Sequence, residues 1–176
     1  MRQRLLLFSL LIPLAACVTI PDSYAPPIQR KPLDLIEPSA AKAFLRMGDA
    51  SASNHIVGDI NESIECGSWR WTKRKPTMRF QLKRVANQKF KADLSIADQT
   101  FKETGPVTIT FTINDRELAR ETYTKAGRHP FEKAVPAEWL HAVGDNIVSL
   151  EIDKLWTAPA DGVELGFILA SAGFQE

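Results

Sequence analysis

The chain has 176 residues, a formal net charge of +1 and 44% hydrophobic residues, with 22 Lys and Arg set against 21 Asp and Glu. That length suffices for one domain with a real core. The charge balance excludes the global basic surplus of a nucleic-acid binder. Two cysteines and three histidines exclude a disulfide framework and supply no zinc-ligand spacing.

Met1-Arg2-Gln3-Arg4 is basic and lacks any acid, and Leu5 to Ala16 is apolar apart from Ser9. A membrane-spanning helix needs about 20 apolar residues, so this run is too short to span. A basic start, a short apolar core and small residues before a cut describe a secretory signal peptide over residues 1–16. Leu14-Ala15-Ala16-Cys17 resembles the lipobox of bacterial lipoproteins. The resemblance implies cleavage before Cys17 and acylation of its thiol and new amino group. Val18 stands where an inner-membrane retention signal would place aspartate, which implies outer-membrane sorting, facing the periplasm. Two or more acyl chains anchor a protein stably, so the membrane is the expected N-terminal partner.

Cleavage leaves 160 residues with a net charge of −1, because Arg2 and Arg4 depart with the signal. Cys66 then has no intramolecular partner in a compartment that favours disulfides. It reads as a small buried hydrophobe, the alternative being an intermolecular bridge or a reactive thiol.

Residues 18–38 hold five of the eleven prolines and show no sustained apolar period. Residues 17–48 are therefore expected to be a lipidated, proline-rich tether. It ends in a short helix capped by Ser39, running through Phe44, Leu45 and Met47 to Gly48. Asp49 to Asn54 has loop composition, and His55 to Val57 begins the first strand. The globular domain is expected over residues 49–176.

From Trp69 onward the period becomes two. Met78, Phe80 and Leu82 alternate with Arg79, Gln81 and Lys83, and Phe90 to Ile96 alternate with Lys91, Asp93 and Ser95. Val107, Ile109, Phe111 and Ile113 alternate with Thr108, Thr110 and Thr112 in the cleanest strand of the chain. Alternation of this kind places one face in a core and the other in solvent. Strands are expected over 67–73, 77–85, 89–97, 106–113, 117–124, 128–135, 147–154 and 163–170, separated by turn signals such as Lys75-Pro76 and Asn114-Asp115. Pro136 to Leu140 reads as a single helical turn with Trp139 as its plug. About eight short strands without long helices between them predict an all-β, antiparallel sandwich.

Trp69-Arg70-Trp71-Thr72 and Leu165-Gly166-Phe167 bracket the domain, with Asp153, Pro159, Asp161 and Gly162 before the closing motif. The arrangement is similar to the jelly-roll, galactose-binding-like modules appended to some bacterial glycosyltransferases and carbohydrate-active proteins. In several of those an arginine follows the loop aspartate, where this chain has Gly162. The resemblance implies a fold more than a ligand.

Two groups of residues are candidates for binding. Between Trp69 and Ala92 lie nine basic residues and no acid, and Arg70, Lys73, Arg74, Lys75 and Arg79 form the candidate anion-binding set. Trp71 and the loop residue Trp156 are candidate sugar-stacking platforms. No nucleophile elbow, phosphate loop or metal-ligand spacing occurs, and Glu117 with Glu121 reads as a polar hairpin rather than an acid–base pair. Neither cofactor nor metal nor catalytic residue is expected. The leading expectation is a non-catalytic interaction or structural module of the envelope with a protein partner. The alternative is a carbohydrate- or anionic-polymer-binding module, and an enzyme ranks third. Nucleic acid is not an expected partner in that compartment.

Overall fold

The computed structural model describes residues 42–176. The expected signal peptide, Cys17, the proline stretch and the expected Ser39 cap lie outside the described residues. The strands are β1 (Phe44–Arg46), β2 (Ile56–Ile60), β3 (Arg70–Phe80), β4 (Lys89–Ile96), β5 (Val107–Ile113), β6 (Arg116–Tyr123), β7 (Gly127–Ala134), β8 (Asn146–Ile152), β9 (Trp156–Thr157), β10 (Glu164–Leu165) and β11 (Ile168–Gln175). One α-helix, α1 (Asp98–Thr104), follows β4. Short 3-10 turns cover Ala50–His55 and Ala137–Trp139.

The strands form two antiparallel layers, an all-β sandwich. One layer runs β1-β11-β4-β7 and the other β2-β3-β8-β5-β6. β3 belongs to both: Arg70 and Trp71 pair with Leu169 and Ile168 of β11, and Thr77 to Phe80 pair with Ser149 to Asn146 of β8. The inward residues of the alternating runs meet between the layers. Phe111 and Phe131 stack across the core at 3.8 Å, and Phe80 meets Phe174 edge to face at 5.5 Å. Asn114 and Asp115 both take positive φ (47° and 63°), the backbone a tight two-residue hairpin between β5 and β6 requires.

The two motifs behind the fold resemblance turn out to be one seam. Thr72 Oγ1 donates to the Phe167 carbonyl at 2.8 Å and accepts from the Phe167 N–H at 3.0 Å. The Gly166 N–H donates to the Thr72 carbonyl at 2.8 Å. A Cβ at Gly166 would lie 2.5 Å from the Lys73 carbonyl oxygen, so only glycine admits this approach. The seam also splits the expected 163–170 strand into β10 and β11, with Gly166 and Phe167 bonding to β3 between them.

Several expectations are corrected. Among the described residues eleven strands form rather than about eight, the surplus being short pieces such as β1, β9 and β10. The expected helix through Phe44, Leu45 and Met47 is instead β1, so the sandwich begins before residue 49. Leu45 and Met47 are 1% and 0% exposed while Arg46 is exposed, the period of a strand. Gly173 makes room for it, since a Cβ there would lie 2.4 Å from the Ala43 carbonyl oxygen. Lys75-Pro76 is no turn: β3 passes through it. Lys73, Arg74 and Lys75 all point outward there, at a break in the β2–β3 register. Pro76 has no N–H to lose at such an irregularity, and the Lys75 N–H is taken by Asp59 Oδ2 at 2.8 Å. The expected loop 49–54 is largely 3-10 turn, and α1 was not anticipated. Cys66 is exposed, not buried; it sits at φ 47° in the turn closed by the Glu65–Trp69 bridge.

Candidate functional site

The basic run does not form one patch. Arg70 is 1% exposed and ties together the segments before and after β2, bonding to Met47, Ser53, Asn61 and Glu62. Arg74 donates to the Asp153 carbonyl at 3.1 Å, and Lys75 faces Glu151 at 3.5 Å. Arg79 forks onto the Asn54 carbonyl at 3.1 and 2.8 Å. Lys73 is exposed, without a partner among the described residues. Further on, Lys89 and Lys91 lie on the opposite layer and share Glu132, holding its carboxyl below the usual range through their hydrogen bonds. Alternation sends neighbours in sequence to different places, so a linear run of charge is divided between a buried clamp and two outer faces.

The tryptophans also separate. Trp71 is half-buried beside Trp69, edge to face at 5.8 Å. Trp156 is not in an open loop. It forms β9, pairs with Leu165, and its indole N–H is buried without an acceptor among the described residues.

A trough of about 470 Å³ lies on the outside of the five-stranded layer. Thr108 and Thr110 of β5 form its floor. Arg120 and Thr122 of β6 form one wall, and Glu151 with Asp153, at the end of β8, form the other. The register creates it: Thr110 stands between Arg120 and Glu151, and Thr108 opposite Thr122. Side-chain bonds hold the walls in place. Thr108 and Thr122 hydroxyls lie 3.0 Å apart, the Thr108 N–H donates to Asp153 Oδ1 at 2.8 Å, and Arg120 Nη2 donates to Glu117 Oε2 at 2.9 Å. Beyond the wall, Lys75 pairs with Glu151. Hydroxyls both donate and accept, carboxylates accept and guanidinium donates. The trough thus presents every kind of partner that a chain of vicinal hydroxyl groups needs.

None of these six residues was a candidate from sequence. The threonines were visible as the polar half of the cleanest strand, but a polar half reads equally as a solvated face. What lies beside them is decided by non-local strand pairing.

The histidines are dispersed. His55 is buried in the 3-10 turn, and burial chiefly, aided by the charges of Lys42 and Arg79, lowers its pKa. His129 and His141 each meet a nearby backbone carbonyl, of Lys125 and Asp145. Tyr123, beside His129 at 4.7 Å, has its phenol pushed up to about 12, mainly by burial and then by Glu121. Among the described residues no group of three or more His, Cys, Asp or Glu is gathered closely enough to hold a metal ion.

No protein-family profile matches the chain, and no curated protein matches it. Solved structures similar to it include a family GH115 4-O-methyl-α-glucuronidase with specificity for decorated arabinogalactans. There the identity is 11%, covering 77% of this chain and 18% of that one, with a TM-score of 0.44. A family 35 carbohydrate binding module from Clostridium thermocellum is 9% identical over 70% of this chain and 92% of that one, at a TM-score of 0.42. A second family 35 module, from an environmental isolate, is 13% identical over 78% and 89%, at 0.39. This chain spans less than a fifth of the glucuronidase and most of each binding module.

Proposed function

We propose that the chain is a non-catalytic glycan-binding module, anchored to a bacterial envelope membrane through lipid on Cys17, and that the glycan lies along the trough of the five-stranded layer. The observation that carries this reading is the trough itself: a hydroxyl floor between a basic wall and an acidic wall, running along β5. Two of its three charges are paired locally, Glu151 with Lys75 and Arg120 with Glu117. A polyhydroxylated chain therefore meets partners that are mostly neutralised. Asp153 is engaged by the Thr108 N–H and Glu151 by Lys75, which favours binding over proton transfer. The lipobox residues Leu14 to Cys17 support the anchor. Within the broader class of envelope interaction modules, the trough favours a glycan over a protein partner, because all six of its lining residues are polar or charged.

Four or five hydrogen bonds at a net of about 1 kcal/mol each would give dissociation constants near the millimolar range. Affinity electrophoresis through gels cast with neutral and acidic polysaccharides tests this. A retarding neutral polysaccharide is expected, with retardation lost in Thr110→Val and Glu151→Gln. Valine keeps the shape and β preference of threonine, so the fold should persist. Unchanged retardation in both variants, or no retardation by any polysaccharide, would remove the case for the trough.

A further inference from the structure

The guanidinium of Arg70, at the head of β3, is enclosed by neutral acceptors. Nε donates to the Met47 carbonyl at 3.0 Å, and Nη1 donates to the carbonyls of Asn61 and Glu62 at 3.3 and 2.8 Å. Nη2 donates to Ser53 Oγ at 3.1 Å. Guanidinium carries five N–H donors, so these bonds leave one N–H, on Nη2. No ion pair joins Arg70 to a carboxylate among the described residues. A buried charge is ordinarily matched by an opposite one, because desolvation is costly.

Arg70 also borders a cleft of about 570 Å³, separate from the trough. Ser53 borders it too, and its oxygen accepts from Nη2, which leaves the hydroxyl hydrogen free to donate. Two donors on atoms 3.1 Å apart suit the two oxygens of one carboxylate. The walls beside them are aliphatic: Ile56, Ile60 and Val57, the last 58% exposed. Gly58 lies on the same wall, and a Cβ built on it meets nothing within 4 Å. The one acid on the cleft is Glu62, exposed, whose carbonyl is the part bonded to Arg70.

We propose that this cleft binds a small aliphatic carboxylate. Its oxygens are taken by Arg70 Nη2 and the Ser53 hydroxyl, and its hydrocarbon body rests on Ile56, Val57 and Ile60. The carboxylate supplies the counter-charge that Arg70 lacks, and the aliphatic walls select against a hydroxylated body. The site stands independently of the trough and of any glycan.

Ligand-observed NMR on the full chain provides the test, with isovalerate as probe, isovaleramide as its uncharged analogue and gluconate as a hydroxylated carboxylate. Isovalerate should bind in the millimolar range, and isovaleramide at least about tenfold more weakly, since a charge-assisted bond is lost. Ser53→Ala should weaken isovalerate several-fold, and Glu62→Gln should tighten it. Arg70 is left unvaried because it holds three segments of the fold. Gly58→Leu replaces it as the decisive variant: the added side chain occupies the cleft, so binding should vanish while the melting temperature stays put. Equal binding of acid and amide, tighter binding of gluconate, a folded Gly58→Leu protein that still binds, or no isovalerate binding at all would each overturn the assignment.

Discussion

Replacing Gly166 by alanine probes the seam that joins the two layers. The added Cβ would lie 2.5 Å from the Lys73 carbonyl oxygen, 3.0 Å from Thr72 Oγ1 and 3.2 Å from Ile152 Cγ2. The first of these neighbours is backbone in β3 and cannot rotate away. Overpacking of this kind costs about 1–3 kcal/mol. Moving the backbones apart also stretches the bonds between Thr72 and the Gly166–Phe167 segment, each with a net worth of about 1 kcal/mol. Overpacking with one such bond lost is a loss of about 2–4 kcal/mol, or roughly 4–16 °C in melting temperature for a domain of this size. Gly58→Ala is the matched control, because its Cβ meets nothing within 4 Å, and it should change stability by less than about 0.5 kcal/mol. Urea unfolding followed by tryptophan fluorescence measures both. A Gly166→Ala protein within about 0.5 kcal/mol of the parent would refute the steric account, since surface-like tolerance is incompatible with that contact.

Other consequences are simpler to check. Cys17→Ala should release the protein from membranes into the soluble fraction, and persistent membrane fractionation would contradict lipid anchoring. The Cys66 thiol, exposed in its turn, should react with a maleimide in the native protein without denaturant; a silent thiol would show that it is covered. His55 has a lowered pKa in the fold, so the unfolded chain binds its proton more readily. Stability should hold above the unfolded value of about 6.5 and fall as pH drops below it toward the folded pKa. In His55→Gln that part of the slope should flatten, as thermal melts at a series of pH values would reveal. An unchanged slope would assign the acid sensitivity elsewhere.

The layers were legible because their strands obey a strict local rule. Val107 to Ile113 can be read as one buried and one exposed face from seven residues alone. Elements that depend on distant partners were not. Phe44 to Arg46 carries too few residues to show a period, and it becomes a strand only because β11 offers an edge with glycine at position 173. Pro76 looked like an end to a strand because the register break that accommodates it belongs to the pairing with β2. The site followed the same division. Arg70 was found by its charge, but its burial, which changes its role from surface attraction to internal clamp, comes from β2 and the 3-10 turn folding over it. Thr108 and Thr110 were found as outward residues, whereas Arg120 and Glu151 reach them through strand order that no short window reveals.

The sharing of β3 between the two layers has a mechanical side. In the lipid-anchored protein proposed above, tension from the N-terminal side enters the sandwich through β1. It passes to β11 and then through Leu169 and Ile168 to Arg70 and Trp71. From there the same unbroken strand delivers it to β8, at the centre of the layer that carries the trough. Neither layer can be peeled away alone, so a pull on the anchor and a ligand held on the far face bear on a common beam.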